Sequence, residues 1–209
     1  MPDQPYHHGD LRRTLLEAAA ASIESDGVDA LSLRQLAREA GVSHAAPSRH
    51  FRDKQALLDA LAEDGFRRMA ATLEQAATIE TKTQEGARAA FDAISRAYVE
   101  FALAQPTLLA MMFGLKHAPD AKQELIRAGH ASMEITLRLV VEAQSIGAIA
   151  PGDPQRIALV AFATLHGIAT LASGDLLDGV PSDDLLVEAS DLLWRGMRTK
   201  LLAGPELTP

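Results

Sequence analysis

Cysteine is absent from all 209 residues, which excludes a disulfide framework, thiolate metal ligands and a cysteine nucleophile, and fits a reducing cytoplasm. The opening residues, MPDQPYHHGDLRR, lack the apolar core of a signal peptide. No uncharged apolar stretch approaches the roughly 18 residues of a membrane span, apart from residues 157–174. That stretch carries Thr164, His166, Thr170 and Ser173 and reads as a buried helix, so no membrane partner is expected. HExxH, GxSxG, GxxxxGK[ST] and GxGxxG are all missing, and the seven histidines lack metal-ligand spacing. The acidic residues Asp175, Asp178, Asp183 and Asp184 do not follow the order of a calcium loop and read as a solvated connection ending in a cap, Ser182. No catalytic constellation, cofactor or metal is therefore expected.

What is present is an ordinary globular composition, 47% apolar and 23% charged, long enough for one or two domains. The net charge of −8 argues against nucleic acid as a partner until its distribution is read. Between residues 32 and 54, Arg34, Arg38, Arg49, Arg52 and Lys54 meet only Glu39 and Asp53. Phosphate contact depends on the charge of the contacting face rather than of the whole chain. A solvated helix surface would show the same cluster, so its position must decide.

Helical patterns fill the chain. Leu11, Leu15, Ala18, Ser22 and Ile23 repeat at helical spacing from Asp10, and Gly27 supplies a stop. SLRQLAREAG opens with Ser32 and places Gln35 three residues on, a capping box, and ends at Gly41. Ser43 is a good N-cap for a third helix running to about His50, and Asp53 caps a fourth. Two short helices joined by a tight glycine turn describe a helix-turn-helix over about residues 32–51, whose second helix enters the major groove. Pro47 falls near the first turn, where few backbone N–H groups have partners. Ala45 and Ala46 are small enough to let the backbone approach DNA. Ser32, Arg34, Ser43, His44, Ala45, Ala46, Pro47, Ser48, Arg49, His50 and Lys54 are the candidate DNA-binding residues, with Tyr6, His7 and His8 as arm residues near the DNA backbone.

The segment YHHGDLRRTLLEAAAASIESDGVDALSLRQLAREAGVSHAAPSRHFRDKQALLDAL resembles the N-terminal DNA-binding domain of the TetR family of transcriptional regulators, over roughly residues 6–69. The resemblance rests on the first-helix pattern, on LSLRQLAREAGVS, and on His50, Phe51, Lys54, Leu57 and Leu58 in order. The opening YHHGDLR and the alanine-proline recognition segment look like the branch with a Trp-His-Gly signature in its C-terminal domain, present here as Leu165-His166-Gly167. The resemblance implies a homodimer in which ligand binding in a helical body changes the separation of two readers and releases a double-stranded DNA operator. Where the family usually has a phosphate-contacting tyrosine, two residues before His50, this chain has Ser48, so weaker or altered operator binding is expected.

The expected fold is all-α, with about nine helices: a helix-turn-helix domain over 6–69, then a ligand-binding and dimerisation domain over 70–209. In the latter, Phe91, Ile94, Tyr98 and Phe101 share a helix face that Pro106 ends. A short helix from Pro106, a long one from about Asp120 to Ile146, one from Pro154 to about Leu176 and a last from Ser182 to Leu202 follow. Tyr98, Phe101, Met111, Met112, Phe113, His130, Met133, Phe162 and His166 are candidates for a cavity binding a largely apolar small molecule, with ordinary core packing as the alternative for each. The helix from Pro154 is apolar nearly all round and needs more cover than one chain offers. A four-helix interface between two copies would supply it through Leu165, Ile168, Leu186, Ala189, Leu193, Trp194 and Met197, although Trp194 also suits an intrachain core. The leading expectation is a cytoplasmic, homodimeric, ligand-responsive repressor on a near-palindromic operator. The alternative is a helical small-molecule-binding protein whose reader is weakened or lost through Ser48 and Pro47.

Overall fold

A computed structural model describes residues 8–198, with side chains from Leu11 onward. Tyr6, His7, the His8 side chain and Leu202 lie outside what it describes, as does Leu201, expected to extend the last helix's apolar stripe. The described residues form eight α-helices and no strand: α1 His8–Asp26, α2 Leu33–Glu39, α3 Lys54–Ala76, α4 Gln84–Ala104, α5 Pro106–Lys116, α6 Gln123–Ser145, α7 Pro154–Ser173 and α8 Ser182–Arg198. A short 3-10 turn, Pro47–Arg49, lies between α2 and α3.

The helices group into two compact units. The first comprises the chain up to Arg68 together with Gln105–Gly129; the second comprises Met69–Ala104 and the chain from His130 onward. The helix α3 is continuous across the 69/70 position expected to divide the domains.

In the first unit, Leu15, Ile23, Leu36, Leu57, Leu61, Phe66 and Met112 are completely buried. Gly27, at φ +82°, turns the chain out of α1. The long-range segment α5 is fastened by its N-terminus, where Pro106 occupies the first turn and the Thr107 and Leu108 N–H groups donate to the Glu24 carboxylate at 3.1 and 2.7 Å. A carboxylate at that end of a helix satisfies orphan donors and complements the helix dipole.

In the second unit α4 packs against both α7 and α8. Trp194 lies 5.7 Å from Phe91 with the Arg88 guanidinium over its ring, and Arg88 spans to Asp191 while Ser190 donates to Asp92. The helix α7 is long and apolar enough to cross a membrane, yet only one face is buried, through Ala158, Ala161, Leu165, Ile168 and Ala169. Asp153 caps it through the Gln155 and Arg156 N–H groups, and Gly174 ends it three residues before the expected stop.

Candidate nucleic-acid interface and effector cavity

The helix-turn-helix is assembled by local capping. Ser32 is extended (φ −143°, ψ 145°) and its Oγ accepts from the Gln35 N–H at 3.2 Å. Only half of the expected capping box forms, because the Gln35 amide donates to Glu39 instead of returning to Ser32. At the other end of α2, Val42 N–H bonds Ala37 O and Gly41 N–H bonds Arg38 O, with Gly41 at φ +65°. That pairing is a Schellman motif, and it needs the left-handed conformation that glycine adopts freely.

The segment after the turn differs from the expected third α-helix. Ser43 to Ala46 forms a turn and Pro47–Arg49 a single 3-10 turn, held by i→i−3 bonds from Ala46 to Ser43, Arg49 to Ala46 and His50 to Pro47. Pro47 has no N–H to give the Ser43 carbonyl four residues back, and its ring crowds that carbonyl. The tighter i→i−3 pattern removes the demand. Pro47 is itself buried, so its ring belongs to the packing and not to a groove-facing surface. Ser43, His44, Ala45, Ser48 and Arg49 are exposed, and Ala46 and His50 half-buried.

Arg34, Arg38 and Arg49 are exposed and make no ion pair among the described residues, whereas Arg52 is paired with Asp53 at 3.1 Å. Asp53 caps α3 through the Ala56 N–H at 2.7 Å, and this bond, with Arg52 beside it, holds its carboxyl below the usual carboxylate range. Lys54, a candidate phosphate contact, is half-buried and donates to the Asp29 carbonyl at 2.8 Å, so part of its donor capacity ties the end of α3 to the loop before Ser32.

The second unit holds a small enclosed cavity of about 20 Å³, room for about one water molecule. Phe91, Ile94, Ser95 and Tyr98 of α4 line it, with Phe162 and Leu165 of α7, Leu73 of α3 and Thr136 of α6. The Tyr98 hydroxyl meets His166 Nδ1 at 2.7 Å, and Phe162 stacks on the imidazole and meets the Tyr98 ring edge-on. Burial raises the Tyr98 phenol and lowers the His166 imidazole, keeping both neutral near neutral pH. Ser95 is completely buried, and its hydroxyl has no partner.

Of the nine effector candidates, Tyr98 and Phe162 line this cavity, and His166 is joined to both by its hydrogen bond and ring contact. Phe101 and Met133 are half-buried elsewhere in the second unit, and His130 is exposed. Met111, Met112 and Phe113 belong to the first unit. There the Met112 sulfur packs against Gly65, where a Cβ would come within 2.5 Å of it, and Phe113 meets Phe66 edge-on at 5.2 Å. Sequence reasoning missed Ser95 and Thr136, although Ser95 stands out as a polar residue one turn before Tyr98 on the apolar face of α4.

The interface candidates also separate. Leu165, Ile168, Leu186, Ala189 and Trp194 are buried within the single chain, where they pack α7 and α8 on α4, and Leu193 and Met197 are half-buried. Exposed apolar side chains lie at other positions of the same two helices: Leu159, Val160, Leu171, Val187 and, at 68% exposure, Leu192.

Comparison with known proteins agrees with this architecture. Residues 15–61 match the model for bacterial regulatory proteins of the tetR family, and residues 91–191 match the model for a tetracyclin repressor-like C-terminal domain. The chain is 50% identical over 50 residues to the tetracycline repressor protein class A from transposon 1721 of Escherichia coli, spanning 24% of this chain and only 23% of that relative. It is also 62% identical to a structure of a protein with unknown function from Rhodococcus sp. RHA1, with a TM-score of 0.85, covering 94% of this chain and 100% of that one. The regulator PfmR from Thermus thermophilus shares the fold at 20% identity, with a TM-score of 0.65 over 87% of this chain and 97% of its own. A helix-turn-helix closed by a Schellman turn, an all-helical body and both matched models lead to one assignment: the chain belongs to the TetR family of DNA-binding transcriptional regulators.

Proposed function

We propose that the protein is a homodimeric repressor that binds a near-palindromic operator and releases it when a small, largely apolar molecule enters the second unit. The observation that carries this reading is the coincidence of a helix-turn-helix with three exposed, unpaired arginines, Arg34, Arg38 and Arg49, in a chain of net charge −8. Charge left unpaired on one face suits phosphate contact. The domains expected at 6–69 and 70–209 then divide the work between operator and effector.

Dimerisation uses the bare apolar positions of α7 and α8, Leu159, Val160, Leu171, Val187 and Leu192, rather than the neighbours already buried in the chain. Under a two-fold axis this face is self-complementary, and it sets two readers on half-sites about 34 Å apart. The effector enlarges the cavity, pressing α4 and α7 apart and displacing Leu73 on α3, whose first residue, Lys54, lies just beyond the recognition segment.

The 3-10 geometry at Pro47 and the short exposed Ser48 favour a second reading, in which the protein binds its small molecule but reads DNA weakly. Binding to the DNA upstream of its own gene, followed by anisotropy over a salt series, separates the two. A repressor gives affinity in the nanomolar range and a steep negative salt slope, whereas weak, sequence-independent binding selects the second reading.

A further inference from the structure

Ser95 is the one polar side chain of the cavity wall that is fully buried without a hydrogen-bond partner. It lies at the centre of α4 with no exposed surface, and its hydroxyl has no hydrogen-bond partner. A serine inside a helix can return its proton to a carbonyl of the preceding turn, as Thr170 does to His166 and Ser173 to Ala169, but Ser95 makes no such bond. An unsatisfied buried hydroxyl is unfavourable and is retained where something outside the fold satisfies it. One turn along the same helix stands the Tyr98 hydroxyl, already engaged with His166. Apart from Thr136 the remaining wall is apolar, made by Leu73, Phe91, Ile94, Ala161, Phe162 and Leu165, and no carboxylate, ammonium or guanidinium group lines the cavity.

We infer that the effector is a compact, uncharged molecule whose single hydroxyl or carbonyl oxygen is held by the Ser95 hydroxyl, with Tyr98 as neighbouring partner and aromatic rings around its apolar body. The inference rests on the cavity being the effector site. It adds the chemistry of the ligand: anions and cations are excluded, because nothing in the wall compensates the desolvation of a full charge.

Trp194, the only tryptophan in the chain, touches Phe91 of the cavity wall and reports on occupancy. The test titrates the full-length wild type and Ser95→Ala with 1-phenylethanol, acetophenone, ethylbenzene and benzoate at neutral pH, following Trp194 fluorescence, and records melting midpoints without ligand. The alcohol or the ketone is expected to bind about three- to tenfold more weakly to Ser95→Ala, the value of one hydrogen bond. Ethylbenzene should bind the two proteins alike, benzoate should bind neither, and the ligand-free variant should melt no lower than wild type.

Equal effects of the variant on all neutral probes, or tight benzoate binding, overturn the inference while leaving the cavity reading intact. A lowered melting midpoint of ligand-free Ser95→Ala also overturns it, since it makes the hydroxyl a structural group. Failure of every probe, ethylbenzene included, removes the cavity reading and the inference together.

Discussion

The two units treat their surfaces in opposite ways. In the first, every large apolar side chain with described packing is buried or partly so, and the exposed face of the helix-turn-helix carries unpaired arginines. In the second, ten large apolar side chains are exposed, Leu159, Val160, Val187 and Leu192 among them, and the arginines Arg88, Arg138 and Arg195 are committed to ion pairs. The first unit has covered its large apolar side chains and leaves Arg34, Arg38 and Arg49 exposed on its reader, while the second leaves apolar surface bare. Exposed charge and uncovered hydrocarbon call for different partners, a polyanion in one case and another apolar surface in the other.

This contrast is most directly broken on the second unit. Leu192 projects from α8 at 68% exposure, so Leu192→Arg should leave the fold intact while placing a charge in a proposed apolar interface. The dimer dissociation constant should rise by at least about a hundredfold, and sedimentation should then show monomer at micromolar concentration. Operator affinity should fall with it, since one reader contacts one half-site. An unchanged sedimentation profile would move the interface off this face. On the first unit, Arg49→Ala should weaken operator binding by about 1–3 kcal/mol if it reads a base, or reduce the salt slope by about one if it contacts a phosphate. Neither effect should be accompanied by a change in the dimer equilibrium.

Local capping made the reader legible in the sequence. Ser32, Gly41 and Asp53 act within a few residues of themselves, and each does what its residue type predicts. The third helix was less legible, because a proline four residues after Ser43 is tolerated in a first turn yet here favours the tighter 3-10 winding. The interface misled for a different reason. The strongest helical stripe of α8, with Leu186, Ala189 and Trp194, is the one the chain uses for its own core. The bare positions, Val187 and Leu192, flank that buried stripe and stand out only once it is occupied. Met111, Met112 and Phe113 look like a soft cavity wall in sequence, but where α5 packs is decided by a contact distant in sequence, Glu24 on its first turn.

That contact gives the next test. Glu24→Ala leaves the Thr107 and Leu108 N–H groups without their carboxylate, and should destabilise the first unit by about 1–2 kcal/mol, in the range of a lost helix cap. Hydrogen exchange should report the loss in α1 and α5 while the amides of α7 and α8 keep their protection. A loss spread evenly through the chain would instead make the two units one cooperative block.

The smallest expected effect belongs to the second unit and is set by pH. Burial disfavours the charged His166 imidazole, so its folded pKa lies below the ordinary value of 6.5. Below pH 6.5 the unfolded chain therefore takes up this proton before the native state does, and stability falls with pH; above 6.5 the contribution is fully present. His166 is only partly buried, so the effect is modest. Urea midpoints at about pH 7.5 and about pH 5.5 should differ more for wild type than for His166→Gln, which can still accept from Tyr98 but cannot titrate. Trp194 fluorescence should follow the same difference, because its ring packs on Phe91 within that unit. Equal pH dependence in the two proteins would mean that the imidazole is as well solvated in the folded chain as in the unfolded one. The aromatic enclosure around Tyr98 would then be open to water.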